Sequence, residues 1–188
     1  MDKQVTLVNI KRKTNQLELE WLYERTEDNS ARYILGTTGD NPLICFGINP
    51  STATPNNLDP TVNYVSRLAM SNNYDSFIML NIYPQRATNP NDLHKTFLPE
   101  LKTENERHIA SLIDDKEMNL WAAWGGLIEK RSYLIMLVQS IVALPELKNC
   151  NWVSRGSNTK KGHPHHPLYV KRDAPFVSFD ITHYENQL

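Results

Sequence analysis

Three short apolar runs constrain this chain more than any other feature: residues 43–48, 77–80 and 120–124. Each is too short for an ordinary helix, and none alternates polar with apolar, as a strand with one wet face would. Strands of this kind are buried on both sides, and helical segments separate them here. That combination predicts a parallel sheet with helices on both faces. The fold class expected is therefore α/β, a three-layer sandwich around a central, mainly parallel sheet.

The intervening segments carry helix signals. Asp59-Pro60 reads as an N-cap followed by proline in the first turn, with Val62, Val65, Leu68 and Ala69 as the apolar face. Thr103 and Glu106 have capping-box spacing ahead of Ile109, Leu112 and Ile113. A helix is expected over about residues 127–144, stopped near Pro145. Trp152-Val153-Ser154 and Phe176-Val177-Ser178-Phe179 read as the last strands. Upstream, residues 5–10 and 17–23 read as strands around a basic turn, Lys11-Arg12-Lys13. A polar loop over 24–30 and the apolar Tyr33-Ile34-Leu35 follow. The expectation is one domain over 1–188, with an N-terminal β extension over 1–36 and a core over 37–188. A chain of 188 residues suits a single hydrophobic core.

Composition excludes several classes. Apolar residues make up 40% and charged residues 22%, which argues against wholesale disorder. The longest apolar stretch, residues 133–144, is interrupted by Gln139 and Ser140 and falls short of the ~20 residues a spanning helix needs. No membrane partner is expected. The opening Met1-Asp2-Lys3-Gln4 lacks a signal-peptide apolar core, and two cysteines, Cys45 and Cys150, read as free thiols. A cytoplasmic location is the expectation. Walker-type and G-x-G-x-x-G phosphate loops are absent, as is the G-x-S-x-G elbow that Ser51 would need as a nucleophile. No cofactor is expected.

Chemistry in such folds gathers at the carboxyl ends of the strands. Four loops qualify: Gly47-Ile48-Asn49-Pro50-Ser51, Asn81 through Arg86, Trp124-Gly125-Gly126, and Gly162-His163-Pro164-His165-His166-Pro167-Leu168. Four of the chain's 7 glycines fall in these loops, where backbone must turn or approach a ligand.

The order and content of these loops resemble the uracil-DNA glycosylase superfamily. Gly47-Ile48-Asn49-Pro50 resembles its first motif, residues 77–81 its Asn-ending strand, and residues 120–125 its Trp-Gly strand. His163-Pro164-His165-His166-Pro167-Leu168 resembles its final motif with one extra residue. A closer resemblance is to an uncharacterised bacterial and phage family, domain of unknown function 1643. It rests on Gly47 to Ser51, Asp59-Pro60-Thr61, Asn81 with Arg86-Ala87-Thr88, and Gly162 to Leu168, over roughly residues 32–175.

The glycosylase resemblance implies cleavage of a base from its sugar. That reaction needs donors for the departing base and a positioned water beneath the sugar. Asn49, orienting water, and His163, donating to the base, are the catalytic candidates. The extra residue leaves open whether His163 or His166 fills that slot. Asn81 can pair with a pyrimidine edge or bond its own turn. Phe46 and Trp124 can stack on a base or sit in the core, and Leu168 can wedge into the gap left by an extruded base. Gly47, Pro50, Ser51, Asp59, Arg86, Gly125, His165 and His166 complete the expected substrate-binding set.

The net charge of −1 hides an uneven distribution. Between Trp152 and Arg172 lie Arg155, Lys160, Lys161, Lys171 and Arg172, with no acidic residue. The run reads either as a solvated face or as phosphate-binding residues, with Arg155, Lys160 and Lys161 the candidates and DNA or a nucleotide the partner. Two competing readings stand beside hydrolysis of an N-glycosidic bond. One is a nucleotide or nucleic-acid binding module without catalysis. The other is a hydrolase whose metal is held by the clustered histidines and Asp59.

Overall fold

The computed structural model describes residues 20–188. The strands expected over 5–10 and the first part of 17–23, with the basic turn between them, lie outside the described residues. Seven strands form one sheet: β1 Trp21–Arg25, β2 Arg32–Thr37, β3 Pro42–Gly47, β4 Ser76–Asn81, β5 Asn119–Ala122, β6 Asn151–Arg155 and β7 Phe176–Ser178. Their spatial order is β1-β2-β4-β3-β5-β6-β7. The four central strands are parallel, and β1, β2 and β7 complete the edges antiparallel. The mixed α/β architecture with a parallel centre agrees with the apolar runs.

Four helices pack on the sheet: α1 Pro60–Ser71, α2 Pro99–Ile113, α3 Ser132–Val142 and α4 Ile181–Glu185. The chain leaves β3 in one direction to reach β4, then returns past β3 to β5 and β6. Right-handed crossovers in opposite directions place helices on opposite faces. Accordingly Leu43, Cys45, Phe77 and Met79 face α1 through Val62, Val65, Leu68 and Ala69. Ile44, Phe46, Ile78 and Leu80 face α2 and α3 through Ile109, Leu134 and Val138. The reversal of direction at β3 opens a crevice at the carboxyl ends of β3, β4 and β5.

The N-terminal strands are part of this sheet. Leu35 and Gly36 of β2 pair with Met79 and Ile78 of β4. A Cβ at Gly36 would lie 2.3 Å from the Phe77 carbonyl, so only glycine allows this approach.

Helix starts were legible in one case and misread in two. Asp59 caps α1, its Oδ1 accepting from Val62 N at 2.9 Å, with Pro60 in the first turn. Thr103 caps nothing: α2 begins at Pro99, and Glu106 instead pairs with Lys102 at 2.7 Å within the helix. The helix expected over 127–144 is divided. A 3-10 turn spans Gly125–Lys130, and α3 begins only at Ser132. Arg131 between them is extended (φ −138°, ψ 134°) because its guanidinium binds the carbonyls of Asn91, Leu93 and His94.

Candidate functional site

At the β3–β4–β5 crevice lies a cleft of about 360 Å³, within the range of small-molecule sites. Of the expected residues, Gly47, Asn49, Pro50, Ser51, Asp59, Asn81, Trp124, His166 and Leu168 line it. They come from five separate stretches of chain.

Asn49 follows β3 in a turn that fixes its amide. Its Nδ2 donates to the carbonyls of Ala87 at 2.8 Å and Pro50 at 3.0 Å. Two carbonyl acceptors determine which end of the amide is nitrogen. The other end, Oδ1, has no protein partner among the described residues and is an acceptor held in a set place. The same turn is closed by Ala87 N on Pro50 O at 2.9 Å and by Ser51 Oγ against Thr88 Oγ1 at 3.0 Å.

Asn81 ends β4 and is 2% exposed. Its backbone carbonyl accepts from Asn105 Nδ2 at 2.9 Å, but its own Nδ2 is buried without a hydrogen-bond partner. An orphaned amide donor costs roughly 1–3 kcal/mol. Gly47 opposite leaves the amide room, since a Cβ there would stand 3.2 Å from Asn81 Oδ1.

His166 enters the cleft from the loop between β6 and β7. Gly125, at φ +64°, permits this, because a Cβ there would meet the His166 Cβ at 3.2 Å. Burial pushes the His166 pKa below the ordinary imidazole value, with Asp59 opposing. The ring is therefore neutral near pH 7. Leu168 N donates to its Nδ1 at 3.3 Å, a long bond that places the ring proton on Nε2.

His163 lies elsewhere. It is 3% exposed and closes a hydrogen-bonded chain. Trp124 Nε1 donates to Tyr184 Oη at 3.0 Å, and the Tyr184 hydroxyl donates to His163 Nδ1 at 2.9 Å. His163 Nε2 donates to Glu129 Oε1 at 3.1 Å, and Lys161 binds the other Glu129 oxygen at 2.6 Å. Burial raises the Tyr184 phenol to about 12, which keeps it a donor. The Trp124 Nε1, the Tyr184 hydroxyl and both His163 ring nitrogens are thereby occupied.

Most of the other candidates serve the scaffold or lie outside the cleft lining. Arg86 binds the carbonyls of Ser51 and Ala53 and the hydroxyl of Tyr23, bracing the loop after β3. Arg155 is 2% exposed and bound to Tyr64 Oη and the carbonyls of Ala174 and Arg172. Lys161 is paired with Glu129, and Lys160 is exposed. His165 is half-buried and outside the cleft lining. Phe46 is fully buried against Trp152, and the Trp124 ring is buried against Tyr184. Leu168 is 45% exposed and divides the cleft from a second cavity of about 530 Å³ along α1. Among the described residues no three of His, Cys, Asp or Glu gather as a metal-binding group.

One cleft-lining residue is not among those the sequence singles out. Arg32 heads β2, is 1% exposed, and lines the cleft. Its only signal was a charge at the start of an apolar run.

A family model described as a protein of unknown function, DUF1643, matches residues 32–168. The chain belongs to the DUF1643 family. The matched segment begins at Arg32 and ends at Leu168, both of which line the cleft. No curated protein and no solved structure matches the chain. Among the described residues, no helix is long and apolar enough to cross a membrane.

Proposed function

We propose that this DUF1643 protein binds a nucleobase in its cleft and hydrolyses the N-glycosidic bond, acting on DNA or a nucleotide. The observation that carries the reading is Asn81: a buried amide whose Nδ2 has no protein partner at the cleft floor. A base carbonyl would satisfy that donor, while Asn81 Oδ1 accepts from an adjacent ring N–H. An asparagine ending one of the central parallel strands, beside an Asn-Pro turn, also supports a uracil-DNA glycosylase-like arrangement.

The chemistry follows from charge. As the C1′–N bond breaks, its electron pair leaves with the base, and a water oxygen bonds to C1′. Asn49 Oδ1 orients that water by accepting one of its hydrogens. Asp59 is the one carboxylate among the residues lining the cleft and can receive the proton the water loses. His166 Nε2–H and Asn81 Nδ2–H donate to the oxygen on which the base's negative charge develops. In this reading His166 takes the slot that the sequence shared between His163 and His166.

The test is release of free base from oligonucleotides carrying uracil, hypoxanthine or an alkylated base, and from the matching nucleotides, followed by chromatography. Release by the wild type, lost in Asn49→Ala and His166→Ala but retained in His163→Gln, supports the assignment. Absence of release and of base binding overturns it.

A second reading is binding without hydrolysis. It is favoured by the amide at position 49, which cannot take a proton from water as a carboxylate does. Retained, base-dependent affinity without release selects it.

A further inference from the structure

We infer that one end of the cleft is an anion subsite in which Arg32 holds the phosphate of a nucleotide. The choice of phosphate rests on the nucleobase reading above. The need for an anion rests on Arg32 itself.

Arg32 is 1% exposed, yet the only hydrogen bond of its guanidinium among the described residues is from Nη1 to the Ala53 carbonyl at 3.1 Å. Its Nε is buried with no partner. Arg86, the cation whose charge acts on Arg32, is bound by neutral oxygens alone, and its Nε is also unpartnered. Among the described residues neither guanidinium forms an ion pair. A buried charge is ordinarily paired, since stranding it away from water costs several kcal/mol.

The Arg32 charge persists at neutral pH. Burial, and after it the repulsion of Arg86, lowers the Arg32 pKa only to about 10. Asp59 is the carboxylate that acts back on Arg32, and its Oδ1 is already engaged in capping Val62 N. Two guanidiniums against one carboxylate leave an excess of one positive charge. The first turn of α1, residues 60–62, lines the same cleft and adds the partial positive charge of a helix start. The planar guanidinium fork suits two oxygens of a phosphate.

The subsite lies in the same cleft as Asn81 and Asn49, so base and phosphate of one nucleotide would be read together. A phosphomonoester of a free nucleotide and a phosphodiester within a strand offer the same oxygens.

Calorimetric titration of the full chain tests this with inorganic phosphate, a nucleoside, its 5′-monophosphate and a short single-stranded oligonucleotide. The expected result is 1:1 phosphate binding and a monophosphate bound at least about tenfold tighter than its nucleoside, which is ~1.4 kcal/mol. Arg32→Met abolishes that advantage and Arg32→Lys keeps part of it. Asp59→Asn, which still caps α1, tightens phosphate binding. Because Asp59→Asn leaves the buried arginine in place, it decides the matter even where Arg32→Met does not fold. Preference for the oligonucleotide over the monophosphate would identify the diester as the source, and the reverse the free nucleotide. Phosphate that fails to bind, or a monophosphate no tighter than its nucleoside, overturns the subsite. A nucleoside that still binds in that case leaves the nucleobase reading standing. Phosphate binding without any nucleoside binding does the opposite.

Discussion

Two histidines three positions apart in one loop occupy opposite surroundings. His163 is buried in a hydrogen-bonded chain in which Tyr184 and Glu129 occupy both of its ring nitrogens. His166 faces a cleft where Asn81 Nδ2 and Arg32 Nε are left without partners. A satisfied polar network contributes to stability, and this one ties α4 to the segment that follows β5. Unsatisfied groups cost stability, and their presence is understood when a ligand completes them. Of the two regions, the one with unpartnered polar groups is the candidate site.

The sharpest way to break this contrast is to exchange the effects of the two histidines. His166→Ala should lower base release by at least about 100-fold and leave the urea midpoint nearly unchanged. A comparable loss in His163→Gln, with the protein still folded, would remove the distinction. Next in size is stability. Tyr184→Phe strips the acceptor from Trp124 Nε1 and the donor to His163 Nδ1, and should cost roughly 2 kcal/mol in urea unfolding. Asn81→Ala, by contrast, removes a side chain whose Nδ2 bonds nothing. It should weaken nucleobase binding by about tenfold or more while costing less stability than Tyr184→Phe.

The smallest effect is on pH dependence. The folded-state pKa of His166 is depressed, chiefly by burial. Its contribution to stability is therefore fully present above the unfolded value of about 6.5 and is lost as pH falls towards the folded pKa. His108, also depressed by burial, adds a slope of the same sign. His166→Gln should flatten, without abolishing, the fall in urea midpoint between pH 7 and pH 5.

Much of the fold was readable before any coordinates. The apolar runs at 43–48, 77–80 and 120–124 became the parallel strands because uninterrupted apolarity demands burial on both faces. The Asp59-Pro60 pair marked α1 because capping is a local interaction over three residues. Arg131 broke the expected long helix for a reason no local pattern contains: its partners are carbonyls 37 to 40 residues earlier. Thr103 failed as a cap for a simpler reason, since Pro99 had already started the helix.

The candidate site divides in the same way. Asn49, Asn81 and the His-Pro loop were legible because each follows a strand whose carboxyl end the α/β pattern directs to one edge. Arg86 and Arg155 were read as ligand contacts, and the tertiary structure shows them bound to backbone carbonyls.

The sequence by itself determined the layered α/β architecture, the order of the site loops and membership of the DUF1643 family. Those follow from periodicity and motif, which are properties of neighbouring residues. Only the tertiary structure decided that His166 and not His163 turns to the cleft, and that Arg32 is buried there with its Nε unpartnered. Both outcomes depend on groups far apart in the chain, such as Glu129 and Tyr184, 34 residues before and 21 after His163. Burial and hydrogen-bond saturation are set by those distant contacts, so no local pattern could announce them.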